Sequence, residues 1–378
     1  MEILPTFWPD SIDACVCDPP YHLSSIVKRF GGDSAAPAKS GTDGAFKRAS
    51  TGFMGKQWDG GDIAFRTETW AEVFRVLKPG AYIVAFSSSR TFGRMSVAIE
   101  DAGFVNHPLM GWIFGQGFPK AHRVEAEGWE GWRYGRQATK PALEPIYVGQ
   151  KPFSEKTGTA NVLRWGTGAL NIDGTRIGTR IGTRTVSTGE LIGGNVAMSG
   201  GNYGRKETGD ITIGRWPANV ITDGSPQIMS SFPETSEEES AALYFYSAKA
   251  DSDDRLGSKH PTVKPVDLMQ WLCRLVTPPG GVILDPFAGT GTTGAAANRE
   301  GFRAILIERE AEYQADIARR MALELCGPDT RAWESIKARG TAEMDPGPLF
   351  GGVSESAGGG QRLVYGKFAR DAQSGQSE

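Results

Sequence analysis

Gly281-Val-Ile-Leu-Asp-Pro-Phe-Ala-Gly-Thr-Gly-Thr-Thr293 is the stretch whose reading decides the fold. Val282, Ile283 and Leu284 form a short apolar run of the kind buried in a parallel sheet. Asp285 and the glycines at 289 and 291 break that run, and an alanine-rich helix is predicted from Thr293. Strand, tight turn and helix in this order put Asp285, Phe287, Gly289, Gly291 and Thr292 at the carboxyl end of a strand, beside the unpaired N–H groups of a helix start. Glycine lets the backbone come close to a ligand, so the turn is suited to holding a small molecule.

The neighbouring segments extend the same alternation. Phe302 to Glu308 reads as the next strand and ends in an acid, where a doubly wound sheet places a carboxylate for two ribose hydroxyls. Upstream of the loop, Leu268, Trp271, Leu272 and Leu275 fall on one face of a helix. Far earlier, Ser11-Ile-Asp-Ala-Cys-Val-Cys is a strand that stops at Asp18-Pro-Pro-Tyr21, because proline cannot continue a ladder. Residues 63–77 read as a helix stopped by Lys78-Pro-Gly80, 81–86 as a strand, 90–102 as a helix, 104–114 as a strand and 146–149 as another. Residues 22–62 read as a long loop that orders over a ligand.

Composition bounds the rest. The 378 residues are 39% hydrophobic, enough for a real core in two domains or in one domain with an insertion. No apolar run approaches a membrane span and Met1-Glu-Ile-Leu-Pro is unlike a signal peptide, so no membrane association and a cytoplasmic location are expected. Four scattered cysteines exclude a disulfide framework, and Cys15-x-Cys17 is read as buried small residues rather than a metal site. The net charge of −3 is distributed unevenly. From 151 to 185, Lys151, Lys156, Arg164, Arg176, Arg180 and Arg184 face only Glu155 and Asp173, whereas acids collect at 234–239. Between about 152 and 246 the alternation gives way to Gly, Thr, Asn and Arg, with a tetrad repeat at 176–184, which marks an inserted module.

The glycine loop and Asp18-Pro-Pro-Tyr21 together resemble the two signature motifs of the amino-methyltransferases that modify DNA, over roughly residues 1 to 325. With the catalytic half first, the chain resembles the permuted, beta class of that family. The resemblance implies an α/β fold: a doubly wound, mostly parallel sheet of the S-adenosylmethionine-dependent methyltransferase type, circularly permuted. It implies a catalytic half at 1–151, a target-recognition insertion at 152–246, a cofactor-binding half at 247–326 and a loose tail at 327–378. The implied reaction is methyl transfer from S-adenosylmethionine to the N6 amine of adenine in double-stranded DNA. Asp at the first position is similar to the adenine enzymes, whereas Ser there is commoner in cytosine-N4 enzymes.

In that chemistry Asp18 and the Pro19 carbonyl accept the two N–H bonds of a base amine whose lone pair is delocalised into its ring, and Pro20 and Tyr21 complete the loop, Tyr21 as a stacking face for an extruded base. The hexapeptide His260-Pro-Thr-Val-Lys-Pro265 resembles the motif that lines the methionine end of the donor, which makes Thr262 and Lys264 cofactor contacts beside Asp285, Phe287, Gly289, Gly291, Thr292 and Glu308. Family members carry a Gly-Asp pair before the Asp-Pro-Pro-Tyr strand, near the donor's adenine. This sequence starts beyond the point where that pair would stand, and a truncated or misassigned start is the expectation drawn from it. A restriction enzyme and a homodimer stay open as partners, as do cytosine-N4 methylation, a DNA-binding protein without turnover, and an unrelated nucleotide-binding enzyme that would leave Asp-Pro-Pro-Tyr unexplained.

Overall fold

The computed structural model describes residues 2–21, 62–115, 117, 119–178, 181–187, 205–212, 214–232, 245–247, 254, 256, 258 and 263–325. All of these lie in one compact unit, Met1–Arg339. The expected loop at 22–62 apart from Asp62, the expected cofactor contact Thr262, and the expected tail at 327–378 lie outside the described residues.

In chain order the strands are β1 (Ile12–Cys17), β2 (Leu77–Phe86), β3 (Val105–Asn106), β4 (Met110–Ile113), β5 (Lys120–Arg123), β6 (Arg133–Gln137), β7 (Leu143–Gln150), β8 (Ile181–Ser187), β9 (Arg205–Thr212), β10 (Val220–Thr222), β11 (Tyr246–Ser247), β12 (Val282–Asp285) and β13 (Arg303–Leu306). Nine of them form one sheet in the order β11-β10-β4-β7-β2-β1-β12-β13, with β3 also paired to β7. Pairings among its strands are parallel except those made by β7, which runs antiparallel to β2, β3 and β4. The sheet is thus mostly parallel, as the alternating pattern predicts.

The core explains why β1 is central. All six of its residues are buried. Ala14 and Val16 pack on one face with α5 (Val266–Val276) and α6 (Thr292–Arg299); Cys15 and Cys17 pack on the other with α1 (Thr67–Val76) and α2 (Phe92–Asp101). Between Pro226–Met229 (α4) and the earlier Gly158–Trp165 (α3) lies most of the expected insertion, and Ala311–Leu325 (α7) closes the described chain. Among the described residues no helix is long and apolar enough to cross a membrane.

Lys78-Pro79-Gly80 does not end a helix ahead of the strand, as the sequence suggests, but forms a bulge inside β2. Ile12 pairs with Leu77 and the next partner, Ala14, pairs with Tyr82. Gly80 sits at φ +82° there, and a Cβ on it would come within 2.4 Å of the Asn161 amide. That amide, buried in α3, donates to the Pro79 and Thr167 carbonyls at 2.8 Å each. Asp13 fills the other side of the irregularity, accepting from Lys78 Nζ at 2.6 Å and from the Val282 amide at 2.8 Å. Similarly, Pro108 interrupts the strand expected at 104–114, which becomes β3 and β4.

The boundaries of the expected insertion need correction. β10 pairs with β4 and β11 inside the main sheet. Asn171 N donates to Leu275 O at 2.8 Å and Trp271 Nε1 to Thr175 O at 3.2 Å, which ties residues 171–175 to α5. Residues 152–246 are therefore not one separable module, because their two ends complete the core. What stands apart is the β8–β9 hairpin, a two-stranded sheet of its own. Its base is closed by mutual N–H···O bonds of 2.9 and 2.8 Å between Ile177 and Arg215.

A chain in which residues 179–213 are replaced by a two-residue turn is expected to fold cooperatively, since the closure at Ile177 and Arg215 is retained. A chain lacking 152–246 is expected not to fold. Urea unfolding of both, followed by circular dichroism, checks this; a cooperative transition in the longer deletion would contradict the assignment of β10 to the core.

Candidate active site

Three adjacent parallel strands, β1, β12 and β13, end at one edge of the sheet, and each has a carboxylate at or just after its end: Asp18, Asp285 and Glu308. All three line one cavity of about 980 Å³, together with Pro19, Pro20, Tyr21, Phe287, Gly289 and Thr292. The volume is that of a site for a cofactor-sized molecule. The catalytic loop and the glycine loop, about 270 residues apart in sequence, thus meet in one space, because the sheet brings β1 beside β12.

On the Asp18 side the geometry is dominated by a buried ammonium. Lys264 Nζ lies 2.6 Å from Asp18 Oδ2, 3.3 Å from Glu144 Oε2 and 3.1 Å from the Tyr21 hydroxyl. Tyr21 donates to Glu144 Oε2 at 3.1 Å. The ammonium is also 4.8 Å from the centre of the Phe86 ring and 5.4 Å from that of Tyr21. Burial works to lower the Lys264 pKa, but the carboxylates of Asp18 and Glu144 outweigh it and hold the value above the ordinary one, so the amine stays charged. Burial, and then the negative charges of Asp18 and Glu144, push the Tyr21 phenol well up, so it remains a donor. Asp18 Oδ1, by contrast, is buried without a hydrogen-bond partner among the described residues. One oxygen of Asp18 is clamped, and the other is an acceptor waiting for a donor.

On the other side, the glycine loop is held by its own carboxylates. Asp285 accepts from the Phe287 amide at 3.0 Å and from the Thr293 hydroxyl at 2.5 Å. Glu308 accepts from the Gly289 amide and the Glu310 amide, each at 2.8 Å. Burial raises the Glu308 pKa against those amides, which favour its charged form. Phe287 supplies an aromatic wall braced edge-on by Trp70, with ring centres 6.1 Å apart. An acidic acceptor, an aromatic wall and backbone N–H groups around one cavity suit an adenosine-bearing donor with hydroxyls to donate.

Two expected cofactor contacts are engaged by other parts of the chain. Lys264 lines the cavity, but its ammonium is spent on Asp18 and Glu144, because a buried cation has to be paired with carboxylates. Gly291 does not line the cavity. It caps α6 at φ +80°, and a Cβ there would meet Ile317 of α7 at 3.1 Å, so this glycine serves the packing of α7 on the loop.

Glu144 is the residue that sequence reasoning missed. It is the second residue of β7, and the parallel strands deliver their carboxyl ends to the active edge; only a reversed strand delivers its amino end there. The pattern around Ile146 signals a strand but not its direction. Glu2, Ile3 and Pro5 also line the cavity, with the segment anchored by Arg75, which donates to the Leu4 and Phe7 carbonyls at 2.8 and 3.0 Å.

A family model described as DNA methylase, for N6 and N4 methyltransferases, matches residues 12–319. The Type II methyltransferase M.HindIII of Haemophilus influenzae is 26% identical over 318 residues, which cover 76% of this chain and 82% of that protein. The Type II methyltransferase M2.DpnII of Streptococcus pneumoniae is 42% identical over 71 residues, 19% of this chain and 26% of that protein. Among solved structures, the PvuII DNA methyltransferase (cytosine-N4-specific) aligns with a TM-score of 0.43 at 16% identity, covering 89% of each chain.

Burial pushes the Asp285 carboxyl up to about 7 from an ordinary 3.8, although Thr293 and the Phe287 amide favour the ionised form. A folded value above the unfolded one means that this group's contribution to stability is full below the unfolded pKa and is lost as pH rises through the folded one. Thr293→Val removes a donor that serves the carboxylate. It is expected to cost ~1–3 kcal/mol, and more at about pH 8.5 than at about pH 5.5. Urea unfolding at both values tests this, and an equal loss at the two would count against it.

Proposed function

The chain belongs to the DNA methylase family of N6 and N4 methyltransferases, and we propose on that footing that it transfers a methyl group from S-adenosylmethionine to the N6 amine of adenine in duplex DNA. The observation that carries the reading is the shared cavity, with Asp18, whose Oδ1 has no hydrogen-bond partner among the described residues, at one side and Glu308 with the glycine loop at the other. Asp at the head of Asp-Pro-Pro-Tyr is what favours adenine over cytosine.

S-adenosylmethionine supplies an electrophilic methyl group on a positively charged sulfur. Glu308 offers its carboxylate to the donor's ribose hydroxyls, and Phe287 offers a face to its adenine. Asp285 acts one step away: both its oxygens are taken up inside the loop, where it fixes the turn that the donor rests on. Asp18 Oδ1 accepts one N–H of the base amine. This draws the nitrogen toward a tetrahedral geometry, localises its lone pair and stabilises the positive charge that grows on it during attack. Lys264, through Oδ2, holds the Asp18 carboxylate in one rotamer, and Glu144 keeps Lys264 and the Tyr21 hydroxyl in place; both are positioning residues. Target recognition is assigned to the β8–β9 hairpin, which carries Arg184, Arg205 and Lys206 and lies outside the main sheet.

Nucleosides from duplex DNA incubated with the chain and isotopically labelled donor are expected to contain labelled N6-methyladenine. Labelled N4-methylcytosine would overturn the adenine assignment alone, and the absence of both would overturn the activity. Asp18→Ala is expected to slow transfer by at least about 10²-fold while donor binding in calorimetry stays at the wild-type level.

A further inference from the structure

The β5–β6 hairpin, Lys120–Arg123 with Arg133–Gln137, is a two-stranded sheet that belongs to neither the core nor the cavity. It leaves the carboxyl end of β4 and returns into β7, whose second residue is Glu144, so it stands at the same sheet edge as Asp18. Two features of it are not accounted for by packing among the described residues. Trp129, Trp132 and Tyr134 are 48%, 62% and 58% exposed, and their ring contacts among the described residues stay inside the hairpin: Trp129 with Trp132 at 5.2 Å and Tyr134 with His122 at 5.4 Å. Exposing that much aromatic surface on one ribbon is costly unless something covers it. In addition, Arg123 and Arg133 face each other directly across the strands. Like charges at such a rung destabilise a ribbon. Yet both are exposed, and neither is in an ion pair among the described residues, although Glu125, Glu127 and Glu130 stand in the adjoining turn. The Arg133 guanidinium donates to the Trp132 carbonyl at 3.1 Å, and Glu130 accepts from the Gly128 amide at 3.1 Å.

We propose that this hairpin is a docking surface for duplex DNA, with the opposed Arg123 and Arg133 guanidiniums straddling backbone phosphate and the Trp129–Trp132 pair packing on the nucleotides beside the extruded base. A phosphate between the two guanidiniums turns their repulsion into attraction, and aromatic faces with arginine are the combination that unpaired or unstacked nucleotides need. The hairpin's place at the active edge puts it beside a target that has to leave the duplex for its amine to be reached. This inference rests on the DNA methyltransferase reading of the site.

The test uses the full chain and a short random-sequence duplex, with affinity measured across a range of salt concentrations. Arg123→Ala/Arg133→Ala is expected to make the slope of log Kobs against log[salt] shallower by about 1.8, the loss of two phosphate contacts, and Arg123→Lys/Arg133→Lys to restore it. Trp129→Ala/Trp132→Ala is expected to weaken binding about tenfold with the slope unchanged. Donor binding should be unaltered in every variant, which also reports that each is folded. Wild-type affinity and slope in both alanine variants overturn the proposal and leave the methyltransferase reading intact. The same result with a smaller mass in sedimentation overturns it in favour of an interface between copies of this chain. A wild-type chain that binds no duplex overturns both readings.

Discussion

The buried ammonium of Lys264, set between the carboxylates of Asp18 and Glu144, is the interaction on which the active edge depends. It joins three distant stretches: the loop after β1, the start of β7 and the segment leading into α5. Its side chain is 7% exposed, and a cation so buried is tolerable only with carboxylates beside it. Two carboxyl groups share one ammonium, at 2.6 and 3.3 Å. The same contact engages one Asp18 oxygen, while the other has no hydrogen-bond partner among the described residues.

The opposite wall follows a parallel logic. Asp285 and Glu308 are spent first on the glycine loop, through the amides of Phe287, Gly289 and Glu310 and the hydroxyl of Thr293. Acceptors at the strand ends thus satisfy amides of the loop that lines the cavity. Both oxygens of Asp285 and both of Glu308 thus serve the local chain first, and they do so at the wall of the cavity.

Much of this was legible in the sequence, for identifiable reasons. Apolar runs closed by Asp-Pro-Pro and by Asp-Pro-Phe-Ala-Gly announce strand ends with chemistry on them, and the period of Leu268, Trp271, Leu272 and Leu275 announces α5. The parallel sheet then follows from alternation. Glu144 was not legible, because local pattern does not reveal that β7 is reversed. The pairing of Lys264 was not legible, because its partners are 246 and 120 residues away in the chain. The edges of the insertion were misplaced because Val220-Ile-Thr222 is too short to show a period, and it takes its strand character from pairing with β4. Gly291 looked like a ligand contact because spacing alone does not distinguish a glycine that meets a cofactor from one that meets a helix.

In this reading Lys264 acts on Asp18 and not on the methyl donor. Single-turnover methylation and calorimetric donor binding, measured together on Lys264→Met, test it most directly. The account predicts a transfer rate lower by on the order of 10²-fold with donor affinity unchanged. A weakened donor with the transfer rate intact at saturation would contradict it.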